Sequence, residues 1–94
     1  MPFTNRDPRP FETRAVESLI PNQRGCYAIF TGGRCVYVGH GDIRSRLLAH
    51  LAGDNQCILM NRPTHWFAIV TPDPVRVELE LVREFLPLCN PRVA

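Results

Sequence analysis

Apolar residues recur at two different periods along this chain, and the change of period divides it into elements. From Phe11 to Ile20, apolar side chains at Phe11, Ala15, Val16, Leu19 and Ile20 fall at helical spacing, and Pro21 ends the pattern. Gly25-Cys26-Tyr27-Ala28-Ile29-Phe30 and Arg34-Cys35-Val36-Tyr37-Val38-Gly39 are β-rich runs around Thr31-Gly32-Gly33, the pattern of a hairpin. Helical spacing returns at Ile43, Leu47, Leu48 and Leu51, behind Asp42 as a predicted N-cap and ahead of Gly53 as a stop. Cys57-Ile58-Leu59-Met60 predicts a short helical turn. His65 to Thr71 is apolar on both faces, as in a strand covered on both sides, with His65 in a structural role. Asp73-Pro74 is a cap followed by proline at the first helical position. The last helix is predicted from Pro74 to about Leu86, closed by Pro87 and Pro91.

The predicted order is α, β-β, α, β, α. It gives a mixed α/β (α+β) fold, a small three-stranded antiparallel sheet flanked by helices. Residues 1–10 hold three prolines and read as an extended arm. Residues 1–21 are then the arm and a short helix, and 22–94 the body of a single domain, because 94 residues build only one core.

Composition removes several classes. No apolar run approaches the roughly 20 residues that a bilayer requires. The N-terminal Met-Pro-Phe-Thr-Asn lacks the apolar core of a signal peptide, so the expected location is cytoplasmic. The net charge is +2, with no polybasic tail. All 11 basic residues are Arg, which excludes a P-loop lysine and a Schiff-base lysine. Cys26, Cys35, Cys57 and Cys89 form no Cys-x-x-Cys pair, so they are predicted to be reduced and packed as small hydrophobes.

Two helices place charge where their period calls for apolar side chains. On the last helix Arg76, Glu80, Arg83 and Glu84 gather on one side, and Val75, Leu81, Val82, Phe85 and Leu86 on the other. Glu78 falls in the apolar face. A carboxylate there is costly unless it is paired, bound to a metal or open to a cleft. It is either a structural partner of a buried Arg or a functional carboxylate. On the helix after the hairpin, Arg46 and His50 lie four apart along the edge of the apolar stripe. Arg46 is either a snorkelling surface residue or a fork of donors for a phosphodiester. Tyr27 and Tyr37 depend on register. A two-residue Gly32-Gly33 loop sends them to opposite faces. A three-residue loop with Gly33 left-handed pairs Tyr27 with Tyr37 and Phe30 with Arg34, and separates Cys26 from Cys35. Both registers leave apolar faces.

Gly25-Cys26-Tyr27, Tyr37-Val38-Gly39, Arg46-Leu47-Leu48-Ala49-His50, and Glu78-Leu79-Glu80-Leu81-Val82 followed by Pro87 and Asn90 occur in that order. Together they resemble the motifs of the GIY-YIG nucleases, over residues 22–92. The resemblance implies an endonuclease that hydrolyses DNA phosphodiester bonds with one Mg²⁺, or another divalent cation such as Mn²⁺, in DNA repair or recombination. It implies both tyrosines in one site, and so the three-residue loop. Tyr27 is then the general base or positions the water, Arg46 holds the scissile phosphate, and Glu78 binds the metal. Tyr37 and His50 complete the proton and phosphate network, with Gly39 supporting and Asn90 bracing from the C-terminal segment. His40 stands where the family often has lysine or glutamine. It is either an aid to proton transfer or phosphate contact, or a surface loop residue. The segment from Tyr37 to Arg46 is about one residue shorter than the family pattern.

Arg24, Arg34, Arg44 and Arg46 are expected to grip a nucleic-acid backbone. The low charge and the lack of a spare helix or ribbon predict weak sequence specificity. Branched or structured DNA is the expected substrate, with a protein partner supplying targeting and no membrane involved. The alternative is a non-cleaving nucleic-acid- or partner-binding module that retains the fold.

Overall fold

The two apolar periods become a sheet and two helical layers in the computed structural model, which describes residues 7–90. The elements are β1 (Arg9–Pro10), α1 (Thr13–Glu17), β2 (Arg24–Thr31), β3 (Arg34–Asp42), α2 (Ile43–Leu51), α3 (Gln56–Met60), β4 (His65–Val70) and α4 (Pro74–Phe85). The strands form one antiparallel sheet in the order β1-β4-β2-β3. It has four strands where three were predicted. The extra one comes from the proline-rich arm, where Arg9 and Pro10 pair with Trp66 and His65. An edge strand tolerates a proline that has no N–H to give, and the Pro10 carbonyl accepts from Trp66 Nε1 at 2.8 Å. Residues 1–6 of the arm, and Pro91, lie outside the described residues. The first helix is shorter than its pattern, because the Phe11 N–H donates to Thr64 O at 2.9 Å instead of entering a helix.

The hairpin differs from the expected register. Thr31 pairs with Arg34, so the loop is the two-residue Gly32-Gly33, with Gly32 at φ 57°. That loop alone separates the tyrosines. A bulge brings them back together: Ile29 pairs with Tyr37 and Phe30 with Cys35, leaving Val36 as an extra residue. Tyr27 therefore opposes Gly39, not Tyr37, although both tyrosines join the same core cluster. The bulge also moves Cys35 to the face of Cys26, where separate faces were predicted.

Each sheet face carries its own core. Tyr27, Ile29, Val36, Trp66 and Ala68 pack against Val16 of α1, Leu19 just beyond it, Ile43 and Leu47 of α2, and Ile58 of α3. Cys26, Ala28, Cys35, Val38 and Phe67 pack against Leu81 of α4, with Val77, Val82 and Phe85 beside them. Val75 of α4 and Leu86, just past its end, are exposed, although the helical period assigns both to the buried side. Pro74, Val77, Leu81 and Phe85 form the stripe that meets the sheet, because Pro74 is drawn in against Cys26 Sγ, which donates to its carbonyl at 2.8 Å. Burial pushes the Cys26 thiol up to about 12. Asp73 does not cap α4 with its side chain; its carboxylate instead accepts from Arg76 Nε at 2.9 Å.

Only two of the four cysteines are free thiols. Cys57 and Cys89, 32 residues apart, are joined in a disulfide, contrary to the expectation that all are reduced. No local spacing announces this pair. The fold creates it by laying the C-terminal segment along β3, where Leu88 N donates to Cys35 O and Cys89 N to Val36 O. Reduction should release a loop closure worth about 4 kcal/mol. The thermal midpoint is then expected to fall by about 20 °C. Scanning calorimetry with and without reductant reads this directly, and equal midpoints would show that the link carries no stability.

Candidate active site

Two glycines decide where the central side chains lie. A Cβ at Gly39 would collide with the hydroxyl and ring of Tyr27, so Tyr27 lies across Gly39 only because that position has no side chain. A Cβ at Gly25 would run into Ile69 O and come within 2.9 Å of Ile43 Cδ1, so this glycine lets the start of α2 settle on the sheet. Asp42 caps that helix, its carboxylate accepting from Ser45 N at 3.1 Å. Between them Gly41, at φ 132°, turns the chain from strand to helix in a conformation that glycine favours. The short connection from Tyr37 to Arg46 therefore still brings the Arg46 guanidinium close enough to Tyr27 to act on it electrostatically.

A polar network sits at the end of the first core. Tyr27 Oη is 2.7 Å from His50 Nε2, and His50 Nδ1 is 2.8 Å from Asp54 Oδ1. Asp54 Oδ2 is 3.7 Å from an Arg46 terminal nitrogen, which closes the circuit back to Tyr27. Tyr37 flanks it, its ring centroid 5.2 Å from His50 and 6.2 Å from Tyr27. Tyr27 is 1% exposed and His50 2%, Tyr37 is half-buried, and Arg46 faces outward. Burial holds the Tyr27 phenol well above the ordinary tyrosine range, helped by neighbouring Tyr37 and opposed by Arg46. Burial also raises Tyr37, with the Glu78 carboxylate next in effect. His50 is lowered by burial, against the pull of Asp54. The resting network is thus a neutral phenol on a neutral imidazole, tied to one carboxylate and one guanidinium.

Glu78 comes from α4, on the other side of the sheet. It sits at the margin of the buried stripe with a quarter of its side chain exposed, and its Oε1 is 3.0 Å from His40 Nδ1. His40 belongs to β3 and turns toward α4, so it is not a loop residue. Neither is Glu78 the partner of a buried Arg; among the described residues its ion pair is with His40. The Asn90 amide clasps one β3 residue twice, its Oδ1 accepting from Val38 N at 2.8 Å and its Nδ2 donating to Val38 O at 2.7 Å. That fixes the strand between Tyr37 and Gly39.

The four arginines do not share one surface. Arg24 pairs in register with Asp42 at one end of the β2–β3 ladder, and Arg34 with Thr31 at the hairpin tip. Arg34 therefore lies several residues along the strand from Gly39, away from the expected cleft. Arg44 is partly buried in the first turn of α2. Asp54 is the residue that the motifs missed. Its signal was its position four after His50, but Gly53 interrupts the helix between them.

No family model and no curated protein sequence matches the chain. Solved structures do. The GIY-YIG N-terminal endonuclease domain of UvrC from Thermotoga maritima, as a Tyr-to-Phe point mutant bound to its catalytic divalent cation, matches with a TM-score of 0.72 at 21% identity. It covers 85% of this chain and 96% of that one. The same domain bound to magnesium matches with a TM-score of 0.71 at 20% identity, over 84% and 96%. An Asn-to-Ala mutant of it, also with its cation, gives 0.72 at 20%. The chain has the GIY-YIG fold.

Proposed function

We propose that this chain, built on the GIY-YIG fold, is a metal-dependent endonuclease that hydrolyses DNA phosphodiester bonds. One observation carries the reading. Tyr27 and His50 are hydrogen-bonded to each other inside an apolar cluster, and the outward-facing Arg46 sits at their side. A buried polar network is expensive to maintain, and such networks concentrate at functional sites.

Arg46 offers a forked guanidinium to the phosphate, bidentate and always charged. The Tyr27 hydroxyl is covered in the resting state. The attacking water approaches from the side of Arg46, and as it gives one proton to the Tyr27 oxygen the phenol passes its own along the hydrogen bond to His50 Nε2. The hydroxide forms the new P–O bond, and the leaving oxygen departs with the electron pair of the bond that breaks. Tyr37, half-buried beside the network, lines the approach.

The donor set around Glu78 fits magnesium. Among the described residues no group of three or more His, Cys, Asp or Glu side chains could hold a metal, which excludes a closed protein cage. Magnesium keeps most of its waters and takes one or two carboxylates. Glu78, partly exposed beside half-exposed His40, is such a carboxylate. When bound, the cation supplies positive charge against the charge that builds on the phosphate and leaving oxygens. Manganese suits the same oxygen ligand.

We place the enzyme in DNA repair or recombination, with a protein partner for targeting. Among the described residues no helix is long and apolar enough to cross a membrane. Net charge of +2 and the scattered arginines limit phosphate neutralisation on plain duplex. Matched linear duplex, flap and junction DNA, with a sequence-randomised library alongside, test this. Faster cleavage of the branched substrates with little sequence bias is expected. Strong cleavage at one defined sequence in linear duplex would overturn the substrate assignment, and no cleavage of any substrate would overturn the nuclease. The second outcome would favour a non-cleaving binding module. One feature suits that alternative: an apolar cavity of about 440 Å³ at the hairpin tip, lined by Phe30, Phe67 and Phe85, away from the polar network.

A further inference from the structure

Asp54 lies outside every sequence motif, yet its carboxylate meets both His50 and Arg46. Gly53, at φ 91°, turns the chain back at the end of α2, and Asp54 N donates to Ala49 O at 3.2 Å. The carboxylate is thereby held over the last helical turn, with Oδ1 on His50 and Oδ2 toward Arg46. An ionised carboxylate only accepts, so the hydrogen between Asp54 and His50 is on Nδ1. In a neutral ring that leaves Nε2 bare, and a bare nitrogen 2.7 Å from Tyr27 Oη accepts the phenolic hydrogen.

We infer that Asp54 is the positioning residue of a Tyr27–His50–Asp54 proton relay, holding His50 as the Nδ1–H tautomer so that Nε2 receives the Tyr27 proton. The relay rests on the nuclease reading above. In it, one proton passes from water to the Tyr27 oxygen as another passes from that oxygen to His50 Nε2. The phenol stays neutral throughout, which suits a buried tyrosine that resists ionisation. The ring gains one positive charge, beside one carboxylate. The groups facing it are Tyr27 from β2, Tyr37 from β3, and Arg46 and Asp54 from α2 and the turn after it. Among the described residues Asp54 is the anion of this set, so it alone favours the charged ring. The proton leaves to solvent after the products do.

Arg46 makes the assignment testable. In Asp54→Asn the side-chain oxygen is drawn to the guanidinium, which can only donate. The amide NH₂ then faces His50 Nδ1, and the ring must switch to the Nε2–H tautomer. That hydrogen points at Tyr27 and removes the acceptor. Two-bond ¹H–¹⁵N spectra of the labelled full chain read the tautomer without any cleavage. Nδ1–H in the wild type and Nε2–H in Asp54→Asn are expected, with kcat for nicking supercoiled plasmid reduced at least about 100-fold and KM little changed. A wild-type ring that carries its hydrogen on Nε2, or a variant that keeps it on Nδ1, would overturn the relay. So would a switched tautomer with wild-type kcat. A wild type that shows the expected tautomer but cleaves nothing would instead remove the nuclease reading, and with it the relay's role in turnover.

Discussion

Glu78→Gln is expected to lose metal-dependent cleavage by about 100- to 1,000-fold, the scale on which a site loses one preorganised electrostatic group. The substitution keeps the shape of the side chain and removes its charge. Its environment makes the result informative. Glu78 is partly exposed, its partner His40 is more so, and neither holds the core together. Folding stability should therefore change by no more than about 0.5 kcal/mol. Nicking rates, calorimetric titration with Mg²⁺ and the thermal midpoint separate the two roles. Lost cleavage and lost cation binding with an unchanged midpoint match the metal assignment. An unfolded variant, or one that binds Mg²⁺ as before, would make Glu78 a structural partner of His40 instead.

The second large effect is expected at Tyr27. Replacing it with Phe removes the hydroxyl alone, and cleavage should fall by about 100- to 10,000-fold, the usual worth of a positioned acid or base. Here stability changes too. His50 Nε2 is left buried without its hydrogen bond, which costs about 1–3 kcal/mol. The thermal midpoint must therefore be measured with the rate, below the melting temperature of the variant. A folded Tyr27→Phe chain that cleaves at the wild-type rate would take the proton-transfer role away from Tyr27. The half-buried Tyr37 would then be the tyrosine to consider.

Much of this arrangement was legible before any coordinates. Glu78 stood out because a helical period exposes a carboxylate among apolar neighbours, and the structure places it at the margin of the stripe formed by Pro74, Val77 and Leu81. The tyrosines were expected on one face, and they are. The route differs, because Cys35 and Val36 are both apolar and fit either face, so no pattern marks the bulge between them. A proline-rich arm gave no hint of a fourth strand, since two residues at a sheet edge need little β propensity. Asp54 and the Cys57–Cys89 link escaped for a related reason. Each depends on a backbone turn or a distant segment that brings together residues without a shared local period. Arg34 was misjudged in the opposite sense. Its residue type suits phosphate, but its place at the hairpin tip separates it from the network.

The most direct test of the account is the nicking of supercoiled plasmid by the isolated chain, with Mg²⁺ and with the cation removed by chelation. The expected result is conversion of supercoiled to open-circular DNA with Mg²⁺, none under chelation, and recovery when the cation is restored. A folded wild-type chain that leaves the plasmid supercoiled with Mg²⁺ or Mn²⁺ present would contradict it.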